Sequence, residues 1–186
     1  SNGIVIEARD GVSMFRDGEI HVSTPSCRID DLDSLAWPSW TGLDVDSYRD
    51  QRTGALDLSV HFNRSCRFSC GFCSTPVVYG KGVRRVSAQA AAKYVKHLVK
   101  TYQPQVITFT DEDFFASLRW VEELTRLLLD MKLHRDYDVT FDTFVSINDL
   151  WRLEHKGRGN LLDIMKRAGF GSVTMGIESF NAEVLP

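Results

Sequence analysis

The sequence predicts an α/β fold, a parallel sheet built from repeated strand–helix units. Two observations predict it. Short β-rich runs alternate with amphipathic stripes between residues 56 and 177, the pattern of βαβ units with right-handed crossovers. Polar groups also gather just after each strand run, where parallel sheets carry their sites. Three cysteines follow the first run and Asp111-Glu112-Asp113 the second. Thr143, Ser146 and Asn148 follow the third, and Glu178 the fourth. Strand order alone therefore brings these groups to one mouth.

The elements run as follows. Asp10-Gly11 and Asp17-Gly18 separate short runs at Ile4-Val5-Ile6, residues 12–15 and residues 20–22, which read as a small β-hairpin or meander. Residues 25–52 sustain no period. They read as an extended connector lying over a neighbouring surface, anchored by Leu32, Leu35, Trp37, Trp40 and Leu43. Residues 56–62 alternate apolar and polar, the first sheet strand. Ser87 caps a helix whose buried stripe is Ala91, Tyr94, Val95, Leu98, Val99 and Tyr102, and Pro104 closes it. Residues 105–110 form the second strand. Ser117 caps a helix striped by Trp120, Leu124, Leu127, Leu128 and Met131. Residues 138–144 form the third strand, with a helical turn near Leu150. Asn160 and Asp163 have capping-box spacing before a stripe of Leu161, Ile164, Met165 and Ala168, which Gly169 stops. Residues 172–177 form the fourth strand.

The chemistry concentrates in residues 62–73, where Cys66, Cys70 and Cys73 are spaced C-x3-C-x2-C. Three thiolates this close can hold three irons of a cubane, which normally takes four. The fourth iron is then open to a small molecule, like the open position of a catalytic metal site. Zinc prefers four Cys or His ligands, and no second cysteine pair exists. A thioredoxin-like reading of Cys70 and Cys73 leaves Cys66 unexplained. The fourth cysteine, Cys27, reads as a stray thiol. The chain has 186 residues, 43% hydrophobic and 25% charged, with net charge −3. That suits a globular domain and gives no sign of nucleic-acid affinity. No apolar run reaches membrane-spanning length. No export signal is visible, and clustered reduced cysteines suit a cytoplasmic compartment.

The cysteine spacing, with Phe72 just before the last cysteine, resembles the signature of the radical S-adenosylmethionine (radical SAM) enzymes. The likeness extends from about Leu32 to Pro186. It takes in Tyr79-Gly80-Lys81 with Arg84, Phe109-Thr110-Asp111-Glu112-Asp113-Phe114, Ala168-Gly169 and Gly176-Ile177-Glu178-Ser179. Residues 29–35, Trp37-Pro38 and Tyr48 resemble the connector that precedes the barrel in the cobalamin-binding branch. The resemblance implies a partial (β/α) radical SAM barrel carrying about four of six βα units, preceded by a β-hairpin and extended connector. Residues 1–52 would be the hairpin and connector, a remnant leading to an upstream cobalamin domain. Residues 53–186 would be the N-terminal part of the catalytic barrel.

The resemblance also implies roles. Cys66, Cys70 and Cys73 would hold a [4Fe–4S] cluster, whose open iron takes the amino and carboxylate groups of SAM. The backbone at Phe72 would meet the adenine. One of Asp111, Glu112 and Asp113 would bind the SAM amino group, since charge-assisted hydrogen bonds are strong. Glu178 would accept from the ribose hydroxyls. Arg84, with Arg64, would meet the SAM carboxylate or tune the cluster; solvating a surface is the competing role. Helix capping competes for Asp111, Asp113 and Ser179. The implied activity is reductive cleavage of SAM by a cobalamin-dependent methyltransferase or a related bond-forming or ring-rearranging enzyme. The alternatives are a non-catalytic iron–sulfur or zinc module and a subunit of a split enzyme. Implied cofactors are the cluster, SAM and cobalamin. Implied partners are a small-molecule or peptide substrate, an electron donor such as a flavodoxin or ferredoxin, and the missing barrel strands from the parent chain or another chain.

Overall fold

The computed structural model describes residues 13–22, 28–155, 159–181 and 183. Ile4-Val5-Ile6, Asp10-Gly11 and Cys27, all singled out in the sequence, lie outside them. The chain divides into two compact units, 1–30 and 31–186. In the first, β1 (Met14–Arg16) pairs antiparallel with β2 (Glu19–His21). Asp17 and Gly18 join them, both at positive φ, as a two-residue hairpin turn requires.

The second unit opens with the connector. Short 3₁₀ turns at Leu32–Ser34 and Val45–Tyr48 punctuate it. Leu32 is buried, and Trp40 Nε1 donates to Tyr94 Oη at 2.9 Å. Tyr94 Oη in turn donates to the Pro38 carbonyl at 3.2 Å. Leu35, Trp37 and Leu43 stay substantially exposed. The connector therefore hangs on fewer anchors than its apolar content suggests.

The sheet strands are β3 (Asp57–Val60), β6 (Val106–Phe109), β7 (Thr140–Val145) and β8 (Phe170–Met175), in that spatial order and all parallel. Two-residue strands β4 (Asn63–Arg64) and β5 (Arg84–Arg85) pair antiparallel and flank α1 (Thr75–Tyr79). The helices α2 (Ala88–Tyr102), α3 (Leu118–Asp130), α4 (Leu133–Tyr137), α5 (Ile147–His155) and α6 (Asn160–Ala168) complete the unit. α3 packs between α2 and α6. The core lies between these helices and the sheet. Phe109 sits within it, its ring centroid 5.2 Å from Phe114, 5.7 Å from Phe170 and 5.9 Å from Phe62. Leu58 and Val60 face this core while Asp57 and Ser59 face away, so the other face of β3 is polar. This is the expected α/β architecture, a partial barrel of parallel βα units.

Both serine caps form: Ser87 Oγ accepts from Ala90 N at 3.2 Å, and Ser117 Oγ from Trp120 N at 3.3 Å. Gly169 ends α6 at φ +108°. The expected Asn160–Asp163 capping box does not form. Asn160 already lies inside α6, and Gly159 precedes it without a side-chain cap. The fourth strand starts two residues earlier than its polarity suggests, because Phe170 enters the aromatic core directly after Gly169.

Candidate functional site

The cysteine loop spans residues 65–83 between β4 and β5, whose pairing closes its ends. Ser65, fully buried and at φ +77°, donates from Oγ to the Gly80 carbonyl at 2.6 Å. A non-glycine residue at such a φ costs on the order of 1–3 kcal/mol and is kept where surroundings enforce it. Here it turns the chain into Cys66.

The acidic turn after β6 grips this loop from below. Asp111 Oδ1 accepts from Phe62 N at 2.9 Å and Asn63 N at 2.6 Å. Asn63 Nδ2 donates to the Asp113 carbonyl at 3.1 Å. Asp113 Oδ2 accepts from Arg67 N at 3.3 Å and lies 3.8 Å from Cys66 Sγ. Asp111 is 1% exposed, and its Oδ2 has no hydrogen-bond partner among the described residues. Burial pushes its carboxyl up to about 6, against the pull of His61 and the two amides. Burial also raises Asp113, opposed by Arg67. Glu112, between them, turns the other way. Its Oε2 meets His61 Nε2 at 2.8 Å.

A buried ion network continues to the next unit. Arg67 bridges Asp113, at 3.2 Å from Nε, and Asp149, and its Nη1 donates to the Phe115 carbonyl at 3.0 Å. Asp149 also takes Arg152 Nη1 at 3.1 Å and Ser146 Oγ at 2.6 Å. Ser146 Oγ accepts from Asp149 N in return, a capping box that starts α5. The sequence reading missed Asp149 and Arg67. The Ser146-x-x-Asp149 spacing was a signal for the first; nothing local marked the second.

Above this brace lies a pocket of about 300 Å³, lined by Cys66, Phe68, Cys70, Phe72, Cys73, Glu112, Asp113, Phe114, Phe144, Val145, Ser146, Asp149, Thr174, Gly176 and Glu178. Burial raises the Cys66 thiol, while hydrogen bonds from Thr75 lower Cys73. All three cysteines are free thiols. Among the described residues no three His, Cys, Asp or Glu side chains gather as ligands of one ion would. A cubane asks for a different arrangement, with each thiolate on its own corner. Cys66, Cys70 and Cys73 all line this one pocket, and thiolates are the donors such a cluster takes. Glu178 sits at φ +65° in a tight turn closed by Ser179 N donating to the Ile177 carbonyl at 2.7 Å.

The pocket therefore collects Cys66, Cys70, Cys73, Phe72, Glu112, Asp113 and Glu178. Asp111 and Arg84, also expected to meet the cofactor, are not among the lining residues. Asp111 is buried with its Oδ1 taken by the Phe62 and Asn63 amides. Arg84 is in β5, its Nη2 donating to the Tyr79 carbonyl at 3.3 Å, and it does not line the pocket; nor does Arg64.

A family model described as the radical SAM superfamily matches residues 60–186. This chain belongs to the radical SAM superfamily. An uncharacterized methyltransferase from Synechocystis is 26% identical over 155 residues, 83% of this chain and 26% of the relative. The radical SAM methyltransferase TsrM from Kitasatospora setae, solved with cobalamin and a [4Fe–4S] cluster bound, superposes with a TM-score of 0.58 at 15% identity. That match covers 71% of this chain and 24% of TsrM. OxsB, a cobalamin-dependent SAM radical enzyme solved with aqua-cobalamin and SAM, gives 0.65 at 19% identity, covering 91% and 24%. These likenesses show the fold. The chain spans about a quarter of the length of each of these three proteins. Among the described residues, no helix of this radical SAM chain is long and apolar enough to cross a membrane.

Proposed function

We propose that this chain is the cluster- and SAM-binding part of a cobalamin-dependent radical SAM methyltransferase. One observation carries the reading: three cysteines and two strand-end glutamates, Glu112 and Glu178, line a single pocket. Cys66, Cys70 and Cys73 hold three corners of a [4Fe–4S] cluster. When bound, the cluster supplies one electron to the sulfonium of SAM. Glu112 accepts from the SAM ammonium and Glu178 from the ribose hydroxyls, both charge-assisted bonds. Backbone at Phe72 meets the adenine. The brace of Asp111, Asp113 and Arg67 keeps the cysteine loop in one shape, so the ligands are pre-arranged. Methyl transfer and a corrinoid are supported by the relative's name and by the cobalamin in the two structural neighbours. On this reading residues 1–52 lead from a corrinoid-binding domain, and a flavodoxin- or ferredoxin-like protein delivers the electron.

The test is anaerobic reconstitution with iron and sulfide. We expect about four irons and four sulfides per chain, SAM binding, and 5′-deoxyadenosine or S-adenosylhomocysteine from the full parent protein. One zinc without acid-labile sulfide would point to a non-catalytic module instead. Cys70→Ala should abolish cluster assembly, and wild-type iron content in that variant would contradict the assignment.

A further inference from the structure

His61 stands one residue past β3, in phase with Asp57 and Ser59 on the polar face of that strand. Its Nε2 lies 2.8 Å from Glu112 Oε2, and the two side chains are 30% and 19% exposed. With the Glu112 oxygen as acceptor, the tautomer that makes this bond carries its hydrogen on Nε2. The imidazole is held in turn. The Tyr79 ring, at the end of α1, meets it edge-on, with centroids 6.5 Å apart. Among the described residues, no other protein donor reaches Glu112. One carboxylate oxygen is thus fixed, and Oε1 is left for a ligand. A glutamate held at one oxygen has lost most of its rotamer freedom before the ligand arrives.

We propose that His61 is the positioning residue of the SAM subsite, its Nε2–H fixing Glu112 so that the second oxygen meets the SAM ammonium. The proposal rests on the reading of Glu112 given above. Three elements cooperate in it. β3 carries His61, the turn after β6 carries Glu112, and α1 carries Tyr79. His61 and Arg85 both act electrostatically on the neighbouring Asp111.

The test measures equilibrium binding of two probes to the iron-loaded full chain. SAM carries the amino group, and 5′-methylthioadenosine lacks the amino-acid portion. His61→Leu should weaken SAM binding about tenfold or more, the worth of a hydrogen bond to a charged group. Its affinity for 5′-methylthioadenosine and its iron and sulfide content should match wild type. His61→Gln, which restores an N–H donor, should recover much of the SAM affinity. Unchanged SAM affinity in His61→Leu overturns the proposal. So does an equal loss for both probes, which marks a merely structural role. Glu112→Gln separates the two readings. If it binds SAM as wild type does, the assignment of Glu112 fails and the role of His61 falls with it. If Glu112→Gln weakens SAM while His61→Leu does not, only the role of His61 fails.

Discussion

At Gly169 a Cβ would meet His134 Cβ at 2.5 Å, on a backbone at φ +108°. At Gly176 a Cβ would meet Glu178 Oε1 at 2.7 Å. The two clashes differ in kind. His134 Cβ is fixed by α4, whereas the carboxylate is the far end of a flexible side chain. Gly169→Ala should therefore cost about 3 kcal/mol or more in urea unfolding, and His134→Ala should not rescue it, since the clashing Cβ remains. Gly176→Ala should unfold within about 1 kcal/mol of wild type, yet weaken SAM binding, because Glu178 must leave its place on the pocket wall. Asp111 gives a pH-dependent prediction. Its carboxyl ionises near 3.8 when unfolded and near 6 in the fold, so the folded state holds the proton more tightly. Its contribution is favourable at low pH and is lost as pH rises from about 4 to 6. Asp111→Asn keeps an acceptor for the two amides and removes this titration. Between pH 4 and pH 7 its stability should gain on wild type by on the order of 2 kcal/mol, measured by denaturant midpoints across that range. A parallel pH profile for both proteins would show that Asp111 carries no such penalty.

Elements with a strong period were legible in the sequence. The stripes of α2 and α3, both serine caps, the Gly169 stop and the four parallel strands all follow from local pattern. What was not legible lacks a period. β4 and β5 have two residues each and exist because the cysteine loop must close. α1 and α4 are single turns of mixed composition. At the site, strand order foretold which residues meet, but not which way each carboxylate turns. That choice depends on the β3–β6 register, which aligns Val60 with Phe109 and so brings the residues beyond them together. Asp111 and Asp113 then turn into the loop backbone and Glu112 toward His61. The Arg67–Asp149 bridge joins the cysteine loop to α5 in the same non-local way. Asp149→Ala should strand Arg67 and Arg152 without their shared carboxylate. The expected cost is about 3 kcal/mol in denaturant unfolding, together with reduced iron retention on gel filtration. A variant that kept wild-type stability would mean that the bridge is not what anchors the loop.

The molecule as a whole places its stability and its chemistry in the same unit. Among the described residues, the aromatic and aliphatic core begins at Leu32 and gathers from Trp40 onward. The connector is tied to α2 by Trp40, Tyr94 and the Asp33 carboxylate, whose Oδ1 accepts from Ser87 N at 2.7 Å. The hairpin of residues 14–21 forms its own compact unit, with Phe15 and Ile20 well exposed. A domain's stability follows its buried apolar area, and among the described residues the buried apolar side chains lie in residues 31–186. Removing residues 1–30 should thus leave a cooperative unit whose melting temperature falls by no more than about 4 °C, within about 1 kcal/mol for a domain of this size. Thermal melts by circular dichroism test this directly. The cysteine loop and its brace lie wholly within the retained unit, so the truncated chain should also take up iron and sulfide as the longer one does. A broad, non-cooperative melt, or iron uptake reduced in step with lost structure, would mean that the connector needs residues before 31 to hold the sheet edge at β3.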